Sequence, residues 1–408
     1  MTTTVPFEFI PMGSAVTRDP YPVYDQMREV GRVLTTSYGA TIVHRYDDVR
    51  EVHLDHDRFS MSAMPGPMTM MAGSPRSSDA GMGGSELMMA ETMLTADPPD
   101  HERLRRVVNR AFTPNSIADL EARVREICRE LLAPLAAREE FDVVADFAAP
   151  LPTIVIAELL GIPPEDGHRF RLWTEAITGT DVRERTDPAR AAAFGRELRQ
   201  YLGDQIQRRK AAPTDDLIGR MVAANDEQVM SDAEVVASCV LLLIAGNETT
   251  MRLITNMALT LSRYPHQLDL LVRNRSLLAD AVEETLRYES PVHMLFRGVK
   301  KDTEVAGAEL RAGQVVLTML AAANRDPDVF ENADKYNVTR TDNLHVAFGH
   351  GIHYCLGAPL ARRETRVAFE ELLEVAPRFE VVTRDDDLDY PQMLMLRSPR
   401  SLVIRPAA

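Results

Sequence analysis

The chain has 408 residues, 45% of them hydrophobic and 26% charged, which is enough for a large buried core. Its 61 acidic residues outnumber 46 basic ones, for a formal net charge of −15; this disfavours nucleic acid or an anionic membrane as a partner, since both need a basic footprint. Three cysteines fit a reducing compartment, the first residues carry no basic or apolar leader, and the longest unbroken apolar run, residues 240–245, is far below a bilayer span, so a cytoplasmic protein is expected. No Gly/Ser- or Pro-rich linker, repeat or composition break divides the chain, and a single domain over residues 1–408 is expected.

In chain order, Asp19-Pro20-Tyr21-Pro22 opens a helix to about Val30, and residues 33–44 read as a hairpin turning at Tyr38-Gly39. A short helix spans residues 47–54. From Ser60 to Thr95 the periodicity dissolves into Met, Gly, Ser and Pro, with Met61, Met64, Met68, Met70, Met71, Met82, Met88, Met89 and Met93. A stretch of that length inside a compact domain is functional or disordered. Helical patterns then dominate: residues 99–112, 116–137, 147–160, 165–178, 188–210, 215–224, 232–262 and 277–288, with Thr113-Pro114 and Ser231-Asp232 as start signals. Strand-like runs follow at 292–299 and 315–319. An irregular stretch, 324–345, leads to a Gly-rich run ending at Gly357, then a helix with Pro359 in its first turn and strands at 379–383, 393–397 and 402–404. The fold class expected is mainly α with small β-sheets.

The Gly-rich run, Phe348-Gly349-His350-Gly351-Ile352-His353-Tyr354-Cys355-Leu356-Gly357, places one thiol where a helix is about to begin. Unpaired N–H groups and the positive end of the helix dipole favour its thiolate. Gly349, Gly351 and Gly357 let the backbone turn tightly and pass close to something large and flat. Four chemistries compete for Cys355. Zinc wants three or four ligands, and no second Cys lies near. A disulfide needs a partner, while Cys128 and Cys239 sit in apolar helical patterns. A catalytic thiol paired with His353 requires both side chains to point the same way, as in a strand. An axial thiolate to haem iron needs no second protein ligand. The ordinary alternative is an inert buried cysteine, against which the glycines and the flanking histidine weigh.

The run resembles the haem-binding loop of the cytochrome P450s, Phe-Gly-x-Gly-x-His-x-Cys-x-Gly, at six fixed positions. The resemblance implies the cytochrome P450 fold around a buried haem, with heme b (iron protoporphyrin IX) as cofactor, Cys355 as its metal ligand, and Phe348 and Gly349 against it. It continues in Leu241-Leu242-Leu243-Ile244-Ala245-Gly246-Asn247-Glu248-Thr249-Thr250. That apolar run predicts a helix buried on all sides. Gly246 costs it about 1 kcal/mol relative to Ala, repaid either by close helix contact or by space that Ala245 and Gly246 clear over the haem. Glu248 and Thr249 need hydrogen bonds in such a helix, and Thr249 can bond back to the Ala245 carbonyl. The segment is similar to the family's Ala/Gly-Gly-x-Asp/Glu-Thr-Thr motif, which implies a catalytic role in proton delivery for Thr249 and Glu248.

Glu284 and Arg287, three apart on one helix, resemble the family's Glu-x-x-Arg pair. Its third partner there is Arg or His; here Asp334-Lys335-Tyr336 offers Lys335, which cannot fork, so a different third contact is expected. His101 and Arg105 on one helix face, Arg297 at the end of a strand and His353 resemble the family's contacts to the haem propionates. The Met-rich stretch, residues 292–295 and residues 393–395 occupy positions that line the family's substrate pocket, implying an apolar small molecule. Arg103, Arg105, Arg106 and Arg110, with Arg362, Arg363 and Arg366, crowd two helices that border the proximal haem face in the family. An acidic ferredoxin, served by a ferredoxin reductase, could be steered there. The expected activity is haem-thiolate monooxygenation, chiefly hydroxylation. The alternatives are a peroxide-driven haem-thiolate enzyme and a non-catalytic haem protein.

Overall fold

The computed structural model describes residues 5–63, 91–178, 188–226 and 229–407. Its spine is the helix Asp232–Arg263, which begins with a capping box: Ser231 Oγ accepts from the Glu234 N–H, and Glu234 accepts from the Ser231 N–H at 2.7 Å. Helices Pro150–Leu160, Leu278–Tyr288 and Ala358–Val375 pack around it, as does the π-helical turn Val143–Ala148. Pro114–Leu132, started by the Thr113 cap and Pro114, lies along Ala358–Val375. That seam carries Arg125 and Arg129 bonded to Glu371 at 2.7 and 2.8 Å.

Eleven short strands are described: β1 (Val5–Pro6), β2 (Val33–Thr35), β3 (Thr41–Val43), β4 (Phe59–Ser60), β5 (Phe141–Asp142), β6 (Leu295–Val299), β7 (Thr303–Val305), β8 (Ala308–Leu310), β9 (Val315–Thr318), β10 (Arg378–Val381) and β11 (Val403–Ala407). They form a sheet of order β1-β2-β3-β9-β6-β4, a second of order β10-β11-β5, and the hairpin β7-β8. In the first sheet Arg297 pairs with Val316 and Leu295 with Thr318. Arg297 therefore sits mid-strand rather than at a strand end.

The hairpin expected near residue 39 is present, with Gly39 at φ 82°. Residues 133–137 form turns, so the preceding helix stops at Leu132. The helix Pro265–Arg273 and the β7-β8 hairpin have no counterpart in the sequence reading. No strand forms over 393–397. Met393 and Leu396 make only single bridges, to Met12 and Val292. That segment is held by a side chain instead: the buried Arg397 guanidinium donates to the Thr17 and Arg18 carbonyls and to Glu289.

Val143–Leu160 and Asp232–Arg263 are each long and apolar enough to cross a membrane, but most of each apolar window is buried in the core.

The irregular stretch before the Gly-rich run is tied down from Leu278–Tyr288. Glu284 and Arg287 are fully buried and paired at 2.8 and 2.9 Å. Arg287 also donates to the carbonyls of Asn324, Ala333 and Lys335. The third cation is Arg340, whose Nε lies 3.1 Å from Glu284 Oε2. Lys335 contributes only its carbonyl. Arg340 gives Glu284 a single Nε bond and spends its other donors on the Glu331 and Asn332 carbonyls, so one guanidinium ties the buried carboxylate to the irregular stretch.

Candidate active site

The Gly-rich run wraps the N-terminal end of the helix Ala358–Val375. Gly349 and Gly351 both sit at φ 72°, and a Cβ on Gly351 would lie 2.3 Å from the His53 carbonyl oxygen. Only glycine fits there. The Cys355 N–H donates to Phe348 O at 3.0 Å, which closes the loop on itself. The Cys355 side chain keeps accessible surface although protein surrounds it, because it opens onto an internal cavity. Burial raises its pKa above the ordinary thiol value, opposed by the Gly357 N–H, Arg105 and the Ala358 N–H. The sequence reading weighed the helix end but not the burial. In the protein alone, desolvation wins.

Across the cavity stands the spine helix. Ala245 is exposed in the middle of it, and Gly246 and Thr249 are half-exposed, so an otherwise largely buried stretch of the helix opens where it lines the cavity. A Cβ on Gly246 would find its nearest neighbours on Ile156 at 3.8 and 4.0 Å, ordinary contact, so helix packing alone does not demand glycine. Thr249 Oγ1 donates to Ala245 O at 2.7 Å. Glu248 points elsewhere: it is ion-paired with the buried Arg252 and is not among the cavity-lining residues.

One rim of the site is cationic. The His101 and His353 rings meet edge to face at 4.6 Å between centroids. Both nitrogens of His101 and Nδ1 of His353 are buried without a partner among the described residues. Burial and Arg297 hold His353 down at about 3, and burial and Arg105 lower His101. Arg105 donates to Tyr354 O at 2.6 Å. Arg297 is buried and has no carboxylate partner among the described residues; Nη1 donates to Phe296 O at 2.7 Å and to Met61 Sδ at 3.1 Å. Burial pushes its pKa down to about 10. The nearby Asp97 is engaged by the Ser60 and Ser62 hydroxyls and Lys300. With both histidines held neutral, Arg105 and Arg297 carry the charge of this rim, and two guanidiniums with no bonded carboxylate among the described residues call for an anion.

The cavity measures about 240 Å³, smaller than a second cleft of about 660 Å³ beside Tyr21 and Arg325. The larger cleft is chemically spent, since its buried Glu289 already bonds Arg397, Arg325 and Tyr21. Among the described residues no cluster of three or more His, Cys, Asp or Glu could hold a metal ion. Cys355 is thus a lone soft donor on an apolar cavity, a pattern suited to a metal that brings its other ligands with it.

A family model described as Cytochrome P450 matches residues 190–404. Cytochrome P450 107B1 of Saccharopolyspora erythraea is 37% identical over 414 residues, covering all of both chains. The chain belongs to the cytochrome P450 family. The erythromycin C-12 hydroxylase of the same organism is 38% identical, over 91% of this chain and 90% of its own. The crystal structure of P450BioI in complex with a hexadec-9Z-enoic acid ligated acyl carrier protein superposes with a TM-score of 0.85 at 32% identity, covering 97% of this chain and 100% of that one. This P450 is accordingly a haem b-dependent monooxygenase. Its lone thiol, apolar walls and two guanidiniums without a carboxylate partner among the described residues fit a flat cofactor that brings its own metal ligands and two carboxylates.

The structure also redistributes several residues of this P450. Val292 and Leu295 line the cavity, but residues 393–395 do not; Leu394 is buried in the core instead. Residues 64–90 of the Met-rich stretch lie outside the described residues, and Met93 at its end lines the cavity. Of the seven arginines, Arg103 pairs with Asp100 and Glu234, Arg362 with Glu283, and Arg363 and Arg366 with Glu121. Arg106 and Arg110 are exposed and without an ion pair among the described residues. Sequence reasoning missed Arg340 and His53. Nothing local marks either one, because their partners lie far away along the chain.

Proposed function

We propose that Cys355 would hold the haem iron through its thiolate and that this P450 inserts one atom of dioxygen into an apolar small molecule, chiefly by hydroxylation. The other atom leaves as water, with two electrons from a ferredoxin served by a ferredoxin reductase and two protons from solvent. One observation carries the reading: Cys355 faces Ala245, Gly246 and Thr249 across a single apolar cavity. When bound, a thiolate-ligated haem supplies dioxygen activation and the oxidation of carbon. His101, Arg105, Arg297 and His353 would hold its carboxylates, and Phe348 and Gly349 would pack against it. Thr249 Oγ1, oriented by its bond to Ala245 O, holds a proton at the face opposite the thiol. For Glu248 to take part in proton delivery it must first leave Arg252.

The substrate lies against Ile156, Leu241, Leu242, Val292 and Leu295, with no charged side chain on that wall among the described residues. Carbon-rich substrates are favoured, because a carboxylate there would be desolvated without a partner. The erythromycin C-12 hydroxylase and P450BioI, the latter in complex with hexadec-9Z-enoic acid ligated acyl carrier protein, fit that range. A single domain over residues 1–408 and a cytoplasmic location complete the proposal, the latter supported by three cysteines free of disulfides.

The test is dioxygen uptake by the holoenzyme with ferredoxin, reductase and NADH. Ligands that shift the haem band should raise uptake and yield oxygenated product. Thr249→Ala should keep uptake but lower product per dioxygen consumed by about tenfold, a loss of general acid assistance. Turnover with peroxide and none with ferredoxin would favour the peroxide-driven alternative.

A further inference from the structure

Arg297 is a buried guanidinium, and its side chain has only neutral acceptors among the described residues. One of them is His53, on the helix Tyr46–Leu54. Arg297 Nη2 lies 3.3 Å from His53 Nδ1, and His53 Nε2 lies 2.9 Å from Thr318 Oγ1. Arginine can only donate, so Nδ1 must accept and the ring proton must sit on Nε2. That proton goes to Thr318 Oγ1, whose hydroxyl donates in turn to Leu295 O at 3.2 Å. Leu295 and Thr318 are cross-strand partners, and Leu295 lies two residues before Arg297 on β6. The chain of bonds therefore leaves β6 through the Arg297 side chain and returns to β6 through a backbone carbonyl. Every donor and acceptor in it has one assignment.

The same residue touches the Cys355 loop. Its carbonyl oxygen occupies the space that a Cβ on Gly351 would need, and its ring lies 3.7 Å from where a Cβ on Gly349 would sit. Burial and the Arg297 charge both keep the His53 ring neutral. A neutral, tautomer-locked imidazole is thus wedged between the cationic rim and the loop that carries the thiol.

We infer that His53 is the positioning residue for Arg297: its Nδ1 lone pair holds the guanidinium at the angle that presents its remaining donors to an anionic group of the cofactor. The inference rests on the proposed contact between Arg297 and the haem carboxylates. His53 itself touches no reacting atom. Its effect is on how firmly the cofactor is held and on the charge environment of the iron.

The two ring nitrogens can be replaced separately. Asparagine places its carbonyl oxygen where Nδ1 stood and loses the Thr318 bond; glutamine places its polar end near Nε2 and loses the Arg297 bond. Holoenzyme of His53→Asn, His53→Gln, Arg297→Ala and the unaltered chain would be compared by the rate of haem transfer to excess apomyoglobin and by the ferric/ferrous midpoint potential. Arg297→Ala and His53→Gln should release haem about tenfold faster, the usual scale for losing a bond to a charged group, and shift the potential in the same direction. His53→Asn should stay within about twofold of the unaltered chain. If Asn and Gln are equally impaired, or Gln is harmless while Arg297→Ala is not, His53 does not position Arg297. If Arg297→Ala leaves haem transfer unchanged, the underlying carboxylate contact fails instead.

Discussion

Glu364 lies on the helix that follows Cys355, buried, with Oε2 lacking any partner among the described residues. Burial alone pushes its carboxyl up to about 8. In the unfolded chain the same group titrates near about 4.3. Between those values the folded protein holds a proton that the unfolded chain has released, so stability falls as pH rises through this window and levels off above it. Glu364→Gln removes that penalty. The variant should be more stable than the unaltered chain at pH 8, by on the order of a few kcal/mol, and gain nothing at pH 4. Melting curves at the two pH values check this; an equal difference at both would mean that Glu364 does not titrate upward. The residues legible in the sequence were those whose chemistry is local. Thr249 reaches the Ala245 carbonyl because four residues make one helical turn. His53 and Arg297 are 244 residues apart, and no spacing links them. Lys335 was the wrong cation for Glu284 because an irregular segment has no period from which to read which basic residue turns inward.

At the scale of elements, Gly246 separates packing from function. By propensity valine suits a helix slightly better than glycine, and Ile156 leaves room for a Cβ. Its branches would occupy the cavity above the haem. Gly246→Val should fold with a melting temperature near that of the unaltered chain while binding imidazole about tenfold more weakly, read by titration of the haem band. Unchanged imidazole affinity would place the ligand space elsewhere. Helices with caps and prolines at their starts, such as Asp232–Arg263 and Pro114–Leu132, were readable because those signals are short-range. Short strands were not. The β7-β8 hairpin and the unladdered 393–397 segment depend on which chain segment lies alongside, and a run of five residues does not carry that information.

Over the whole molecule, a net charge of −15 coexists with a basic face beside the Cys355 loop. Of the seven arginines there, internal pairing with Asp and Glu neutralises four and Arg105 lines the cavity, which leaves Arg106 and Arg110 as the exposed positive charge without an ion pair among the described residues, on the helix Asp100–Asn109 and the turn after it. An acidic donor steered to that face should feel Arg106 first. Arg106→Glu should slow reduction by ferredoxin several-fold at low salt and much less at about 0.5 M, where screening lengths fall below 5 Å. A rate unaltered at low salt would move the proposed docking site. The expectations for imidazole binding and for reduction by ferredoxin suppose that sulfur holds the iron. The most direct measurement is therefore the ferrous carbonyl spectrum of Cys355→Ser against the unaltered holoenzyme. The unaltered protein should show the far-red-shifted band of thiolate ligation, and the serine variant should lose it while still binding carbon monoxide or should fail to retain haem; a variant that keeps the shifted band would contradict ligation by Cys355.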